Sequence, residues 1–265
     1  MRRFSAPSLI TTLAILLLVA MLVSLVTGTV NLAIIDVFHA LFGNATHQQI
    51  GTILFDIRLP RIVMAIFVGA VLASTGAVMQ GLFRNPLADP SLIGVSSGAS
   101  VGASLMIVTA GGFIQSGALV GLSLVAMGAF VGGFAATLLV YRLATSGIGT
   151  SVTTMLLAGI AIAALAGALN SLLSYFSDND MLRQISLWQM GNLSGASWLK
   201  VSIMASVALL LLLFFPRDSR ALNALLLGES EARHLGIDVQ CVKRRLILLT
   251  ALGVGISVAL AGLVG

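Results

Sequence analysis

Few side chains in this sequence are placed to do chemistry, and their spacing limits what that chemistry is. Arg58 and Arg61 flank Pro60, so two guanidiniums leave one side of a helix start, each with a fork of donors that fits a carboxylate. Glu231 and His234 also stand three residues apart and share a helix face, but two ligands with no third in reach fall short of a zinc site. Cys241 is the single cysteine, so no intrachain disulfide forms, and it has no Cys or His beside it to build a metal site. The only lysines, Lys200 and Lys243, follow Leu199 and Val242, which removes the Gly-Lys-Ser or Gly-Lys-Thr of a P-loop.

The elements that must position these residues are set by composition. Hydrophobic residues make up 58% of the 265 and charged residues only 9%, whereas a soluble surface needs roughly a quarter to a third charged side chains. The mean hydropathy is +1.08, and a bilayer crossing takes about 20 apolar residues. The chain therefore reads as an all-α, polytopic transmembrane helical bundle. Apolar stretches at 9–26, 62–82, 91–110, 117–141, 154–175, 199–215 and 246–265 give seven candidate helices. No Asp, Glu, Lys, Arg or His occurs between residues 91 and 141 or between 143 and 177. Those central spans lack the intramembrane carboxylate or His that a proton-coupled secondary transporter uses, and the His or carboxylate base that a membrane hydrolase needs beside its nucleophile.

The net charge of +5 does not indicate nucleic acid, because the basic residues are scattered and not clustered on one face of a soluble module. It fits a topology instead. Arg2 and Arg3 precede an apolar run of about 18 residues, longer than a signal-peptide core and without a small-x-small cleavage site, so the run reads as an uncleaved first helix with its N-terminus in the cytoplasm. Seven helices from that start put Arg2, Arg3, Arg84, Arg142, Arg217, Arg220, Arg233, Lys243, Arg244 and Arg245 inside, and Arg58, Arg61, Arg183 and Lys200 outside. That is the positive-inside bias expected of a multi-pass membrane protein.

Two stripes of small residues, Gly69, Ala73, Ala77, Gly81 and Gly159, Ala163, Gly167, Ser171, are expected to let helix backbones approach closely. Pro60 is expected near a helix start, where its missing N–H is harmless. Asn85-Pro86 and Asp89-Pro90 forbid one continuous helix and force a tight turn. The longest polar connections are residues 31–57, 178–197 and 216–245. In the last of these, residues 222–227, Gly228 and an acidic pair read as short helix, turn, second helix.

Three runs resemble a known family. Arg58-Leu59-Pro60-Arg61, the stretch from Gly76-Ala77 through Met79-Gln80-Gly81-Leu82-Phe83-Arg84-Asn85-Pro86-Leu87-Ala88-Asp89-Pro90, and Gly94-Val95-Ser96-Ser97-Gly98-Ala99 look like the permease of type II ATP-binding-cassette importers for ferric siderophores, haem and cobalamin, the FecCD type. Leu227-Gly228-Glu229-Ser230-Glu231-Ala232-Arg233-His234-Leu235-Gly236 is similar to that family's ATPase-docking loop, and Met155-Leu156-Leu157-Ala158-Gly159 is a third match. The resemblance covers essentially the whole chain and leans toward haem permeases. Family members carry about ten helices, so residues 1–265 are expected to form a single permease domain lacking the family's C-terminal helices.

The resemblance implies a homodimer with two cytoplasmic ATPase subunits below it, a periplasmic substrate-binding protein outside and lipid around it, with no cofactor, no metal and no catalysis of its own. Arg58 and Arg61 match arginines that meet glutamates of the binding protein, the alternative being anchors for lipid headgroups. Asn85 and Leu87 match a cytoplasmic gate, and Thr153 and Thr154 lie in its looser second element, although turn chemistry alone accounts for Asn85 before Pro86. Leu227, Gly228, Glu229, Glu231, Ala232, Arg233, Leu235 and Gly236 match the ATPase-coupling loop, the alternative being a helix resting on the membrane surface. Haem is the first cargo expected, then a ferric siderophore or cobalamin; an ion-coupled secondary transporter is the reading from a different class. His39 and His47 would in principle touch haem iron, but solvated loop histidines are the plainer reading.

Overall fold

The computed structural model describes residues 6–28, 30, 32–41, 48–116, 118–147 and 149–264. Arg2, Arg3 and His47 lie outside the described residues. Twelve α-helices follow in order among those described: α1 (Ala6–Val26), α2 (Ile34–Leu41), α3 (Gln48–Thr52), α4 (Leu59–Phe83), α5 (Val95–Ser116), α6 (Ala118–Ala144), α7 (Val152–Tyr175), α8 (Asn179–Gln189), α9 (Trp198–Phe214), α10 (Ser219–Leu227), α11 (Glu229–His234) and α12 (Val239–Ala261). Among the described residues six helical segments are long and apolar enough to cross a membrane, and the apolar Val95–Ala110 of α5 is a shorter seventh. These match the seven stretches read from the sequence. The all-helical bundle is as expected; among the described residues the only sheet is a two-stranded turn, Thr145–Ser146 against Gly149–Thr150.

The polar connections hold more helix than the sequence led us to expect. Pro60 does not start its helix: α3, a π-helical turn at Ile53–Arg58 and α4 follow one another without a break. The Leu59 N–H bonds to Leu54 O, five residues back, and this widened turn directly before Pro60 loosens the register that the proline ring would otherwise clash with. The 178–197 connection contains α8, whose first turn is capped by Asp178 accepting from Met181 N at 2.8 Å. α12 begins seven residues before the expected span, because Asp238 caps it by accepting from Cys241 N at 3.0 Å.

The chain divides into two compact units. One holds the residues up to Ile66 with Leu193–Val201. Its core is Leu25, Leu32, Val37, Ala40, Leu54 and Ile62, while most of α1 shows its large apolar side chains outward, as a lipid-facing helix does. The other holds Phe67–Asn192 and Ser202–Gly265. There α5 and α6 meet backbone to backbone: a Cβ built on Gly102 would lie 2.0 Å from Gly128 O, and one on Gly98 or Gly132 would lie 2.3 Å from the other's carbonyl oxygen. These are two facing small-xxx-small motifs, Gly98/Gly102 and Gly128/Gly132. The expected stripes are used less fully. Gly159 touches Leu92 O and Gly81 fits against Leu222, but Gly69 and Gly167 face open space.

Candidate functional site

The 216–245 connection folds as expected into two short helices about Gly228, whose φ of +128° suits a residue without a Cβ. Ala224, Leu225 and Ala232 are buried and seat the pair, leaving Leu226, Leu227 and Leu235 exposed. The start of each helix is tied to α12. The Asp218 carboxylate, 4% exposed, takes two bonds from the Arg245 guanidinium, that from Nε being 2.8 Å long. The Glu229 carboxylate accepts from Lys243 Nζ at 2.6 Å and lies 3.8 Å from Arg233. Of the expected coupling residues, Leu227, Glu231, Arg233, Leu235 and Gly236 are exposed, Gly228 and Glu229 are half-buried, and Ala232 is wholly buried. Ala232 therefore anchors the element and cannot itself be part of a contact face.

The first expected gate is a turn with its geometry written into local bonds. Asn85 Oδ1 accepts from Leu87 N at 2.9 Å, Asp89 Oδ1 accepts from Ser91 N at 2.7 Å, and Arg84 takes the left-handed φ of 52°. These contacts hold Leu87 out at 86% exposure. Thr153 and Thr154 are exposed in the first turn of α7, where Ser151 Oγ accepts from Thr154 N at 3.2 Å.

The arginine pair does not point one way. Arg58 is buried, 8% exposed, and its guanidinium donates to Leu25 O at the end of α1 and to Val30 O. A cation here closes the carbonyl end of a helix. Gly28 leaves it room, since a Cβ there would meet Arg58 Nη2 at 2.8 Å. Arg61 is exposed, donates to Ser194 O at 3.1 Å, and borders an apolar groove of ≈ 320 Å³ with Leu17, Met21, Ile62 and Ile66. Residues three apart share a face of a continuous helix, and the two side chains part because Arg58 reaches back to the carbonyl end of α1 while Arg61 reaches Ser194 O.

The sequence places Lys243 among the cytoplasmic loop cations; among the described residues it is the largest fully buried side chain, at 2%. The signal was present in the spacing of Val239, Val242, Leu246, Ile247, Thr250, Ala251 and Val254, which carries a helix face back through Lys243 to Asp238. His39 is exposed in α2, and among the described residues no group of three or more His, Cys, Asp or Glu is placed to hold a metal.

A multi-pass helical bundle with uncharged central spans and a compact two-helix loop pinned to its last helix defines a membrane transport permease. The chain belongs to the FecCD transport family, whose model matches residues 16–265. It is 41% identical over 249 residues to the hemin transport system permease protein HmuU of Yersinia pestis, covering 94% of this chain and 73% of that protein. It is 38% identical over 253 residues to the vitamin B12 import system permease protein BtuC of Escherichia coli O127:H6, covering 96% and 72%. A solved structure described as an inward-facing metal-chelate type ABC transporter superposes with a TM-score of 0.80 at 31% identity, covering 98% of this chain and 77% of that one. The protein is thus a transport subunit of the ABC importer class and a multi-pass inner-membrane protein.

Proposed function

We propose that this permease moves haem from periplasm to cytoplasm as a homodimer, with two cytoplasmic ATPase subunits supplying energy and a periplasmic binding protein supplying cargo. The observation that carries the coupling part is the α10–α11 element: three exposed leucines and the charged Glu231 and Arg233 on a base held by two ion pairs, the form a docking surface for a soluble partner takes. The hemin relative at 41% identity supports haem over the vitamin B12 relative at 38%. The excess of cations in the even-numbered connections supports a cytoplasmic N-terminus.

In this reading nucleotide binding by the ATPase favours one conformation of the permease over another, and α10–α11 carries that preference into the membrane. Asn85, Leu87, Thr153 and Thr154 close the cytoplasmic mouth. Arg61 is left as the external contact for acidic side chains of the binding protein, while Arg58 holds the helix end behind it. The cargo path needs no charge, because tight binding belongs to the external protein.

The test is uptake into proteoliposomes containing the permease with its ATPase and binding protein, using labelled haem against unlabelled ferric siderophore and cobalamin. ATP-dependent haem accumulation that neither competitor lowers is expected. Accumulation of cobalamin or siderophore without haem would reassign the cargo.

A further inference from the structure

We infer that Lys243 is a positioning residue that joins the ATPase-facing loop to the turn opening α7, so that Glu229 and Thr150 move as one; this rests on the importer reading above. Lys243 Nζ donates at 2.6 Å to Glu229 Oε1 and at 2.6 Å to Thr150 O. Three residues earlier on the same face of α12, Gln240 Oε1 accepts from Thr150 N at 2.9 Å. Both backbone polar groups of Thr150 are therefore gripped by α12 side chains. Gly149 makes this approach possible, since a Cβ there would stand 2.3 Å from Gln240 Nε2. The next residue, Ser151, is the N-cap of α7, and the Thr150 hydroxyl is 3.0 Å from that of Thr145 across the small turn.

The physical link is the burial of the ammonium. At 2% exposure Lys243 cannot exchange Glu229 for water, and a buried charge deprived of its counter-charge is strongly unfavourable. A displacement of α11 that carries Glu229 away must therefore draw Lys243 with it or be resisted. Either outcome is felt at Thr150 O and hence at the first turn of α7, where Thr153 and Thr154 stand. Asp218 and Arg245 do not do this, because Arg245 is 45% exposed and keeps water as an alternative partner. One helix start is thus merely fastened, and the other is wired through.

The experiment uses the reconstituted complex with its ATPase and binding protein, carrying Lys243→Met or Lys243→Arg. ATP hydrolysis and cargo uptake are measured in the same vesicles. Spin labels at Ser230 in α11 and Leu157 in α7, each introduced separately, report nucleotide-dependent movement. Lys243→Met is expected to keep ATPase stoichiometry and hydrolysis while cargo moved per ATP falls at least tenfold, with the Ser230 label still responding and the Leu157 label silent. Lys243→Arg is expected to recover part of the ratio. A parental ratio with a responding Leu157 label in Lys243→Met would overturn the proposal, as would failure of both variants to assemble, which marks a purely structural lysine. If the unsubstituted complex itself neither transports nor moves its Ser230 label with nucleotide, the importer reading fails instead.

Discussion

The α5–α6 contact and the outer face of α7 are built from the same small residues and end in opposite states. Gly98, Gly102, Gly128 and Gly132 bring two backbones within contact, so a Cβ at any of the four would overlap the facing helix. Along α7, Gly159 is closed against Leu92 O while Gly167 faces open space, and Leu157, Ile160, Leu165 and Leu172 are more than half exposed. Small residues in a membrane helix therefore predict close packing only where a second helix presents a matching notch. A stripe without an opposing stripe is compatible with lipid or protein and specifies neither.

The strongest way to break this contrast is Gly102→Val. Its first added carbon would overlap Gly128 O, a backbone atom that cannot rotate away, so the two helices must separate. A loss of about 3 kcal/mol or more is expected, above the usual overpacking range because backbone is displaced. Thermal unfolding in detergent would show it, and a parental unfolding temperature would mean the helices are not in contact there.

The same closed and open alternatives recur three residues apart at Arg58 and Arg61. Arg58→Met removes the donors from two carbonyls and is expected to cost about 2–3 kcal/mol, read as a lower unfolding temperature. Arg61→Gln should change stability by less than about 0.5 kcal/mol, as an exposed site does. It should instead weaken capture of the binding protein, an effect that shrinks as salt rises because exposed charges are screened over about 8–10 Å. Equal stability losses for the two arginines would cancel the distinction.

Asp218→Asn lies lower on the scale. It keeps hydrogen-bonding atoms beside Arg245 and removes only the charge, and Arg245 is half in solvent, so about 1 kcal/mol is expected. The base of the α10–α11 element should loosen with no change at Thr150, detectable as faster amide exchange confined to residues 219–227.

Much of this was legible in the sequence, for identifiable reasons. Apolar length alone located the seven long helices, and Gly228 between an apolar and an acidic run located the two-helix loop. What was hidden depended on partners distant in the chain. Arg58 reads as a surface cation until α1 supplies Leu25 O, and Lys243 reads as one until Glu229 and Thr150 O are beside it. The facing glycines of α5 and α6 have the same spacing as the small residues of α4 and α7, and spacing along one helix does not say which neighbour is opposite. Asp238 and Asp178 were visible too, as caps, and would have corrected the start of α12 and exposed α8.

The smallest effect is expected from Gly167→Val, and it decides most about the open face. No atom lies within 4 Å of a Cβ at this position, so the added side chain displaces nothing within the chain. Valine also removes the conformational freedom that glycine loses on folding, a gain that offsets its own stiffness in a helix. Unfolding of the isolated subunit should shift by no more than about 0.5 kcal/mol. A large loss for Gly167→Val in the isolated subunit, comparable to Gly102→Val, would show that the α7 face is as tightly closed as the α5–α6 seam and would end the comparison. A shift confined to preparations in which two copies are associated would instead place a second protein surface over that face, because lipid tails rearrange around an added isopropyl group and a packed helix cannot.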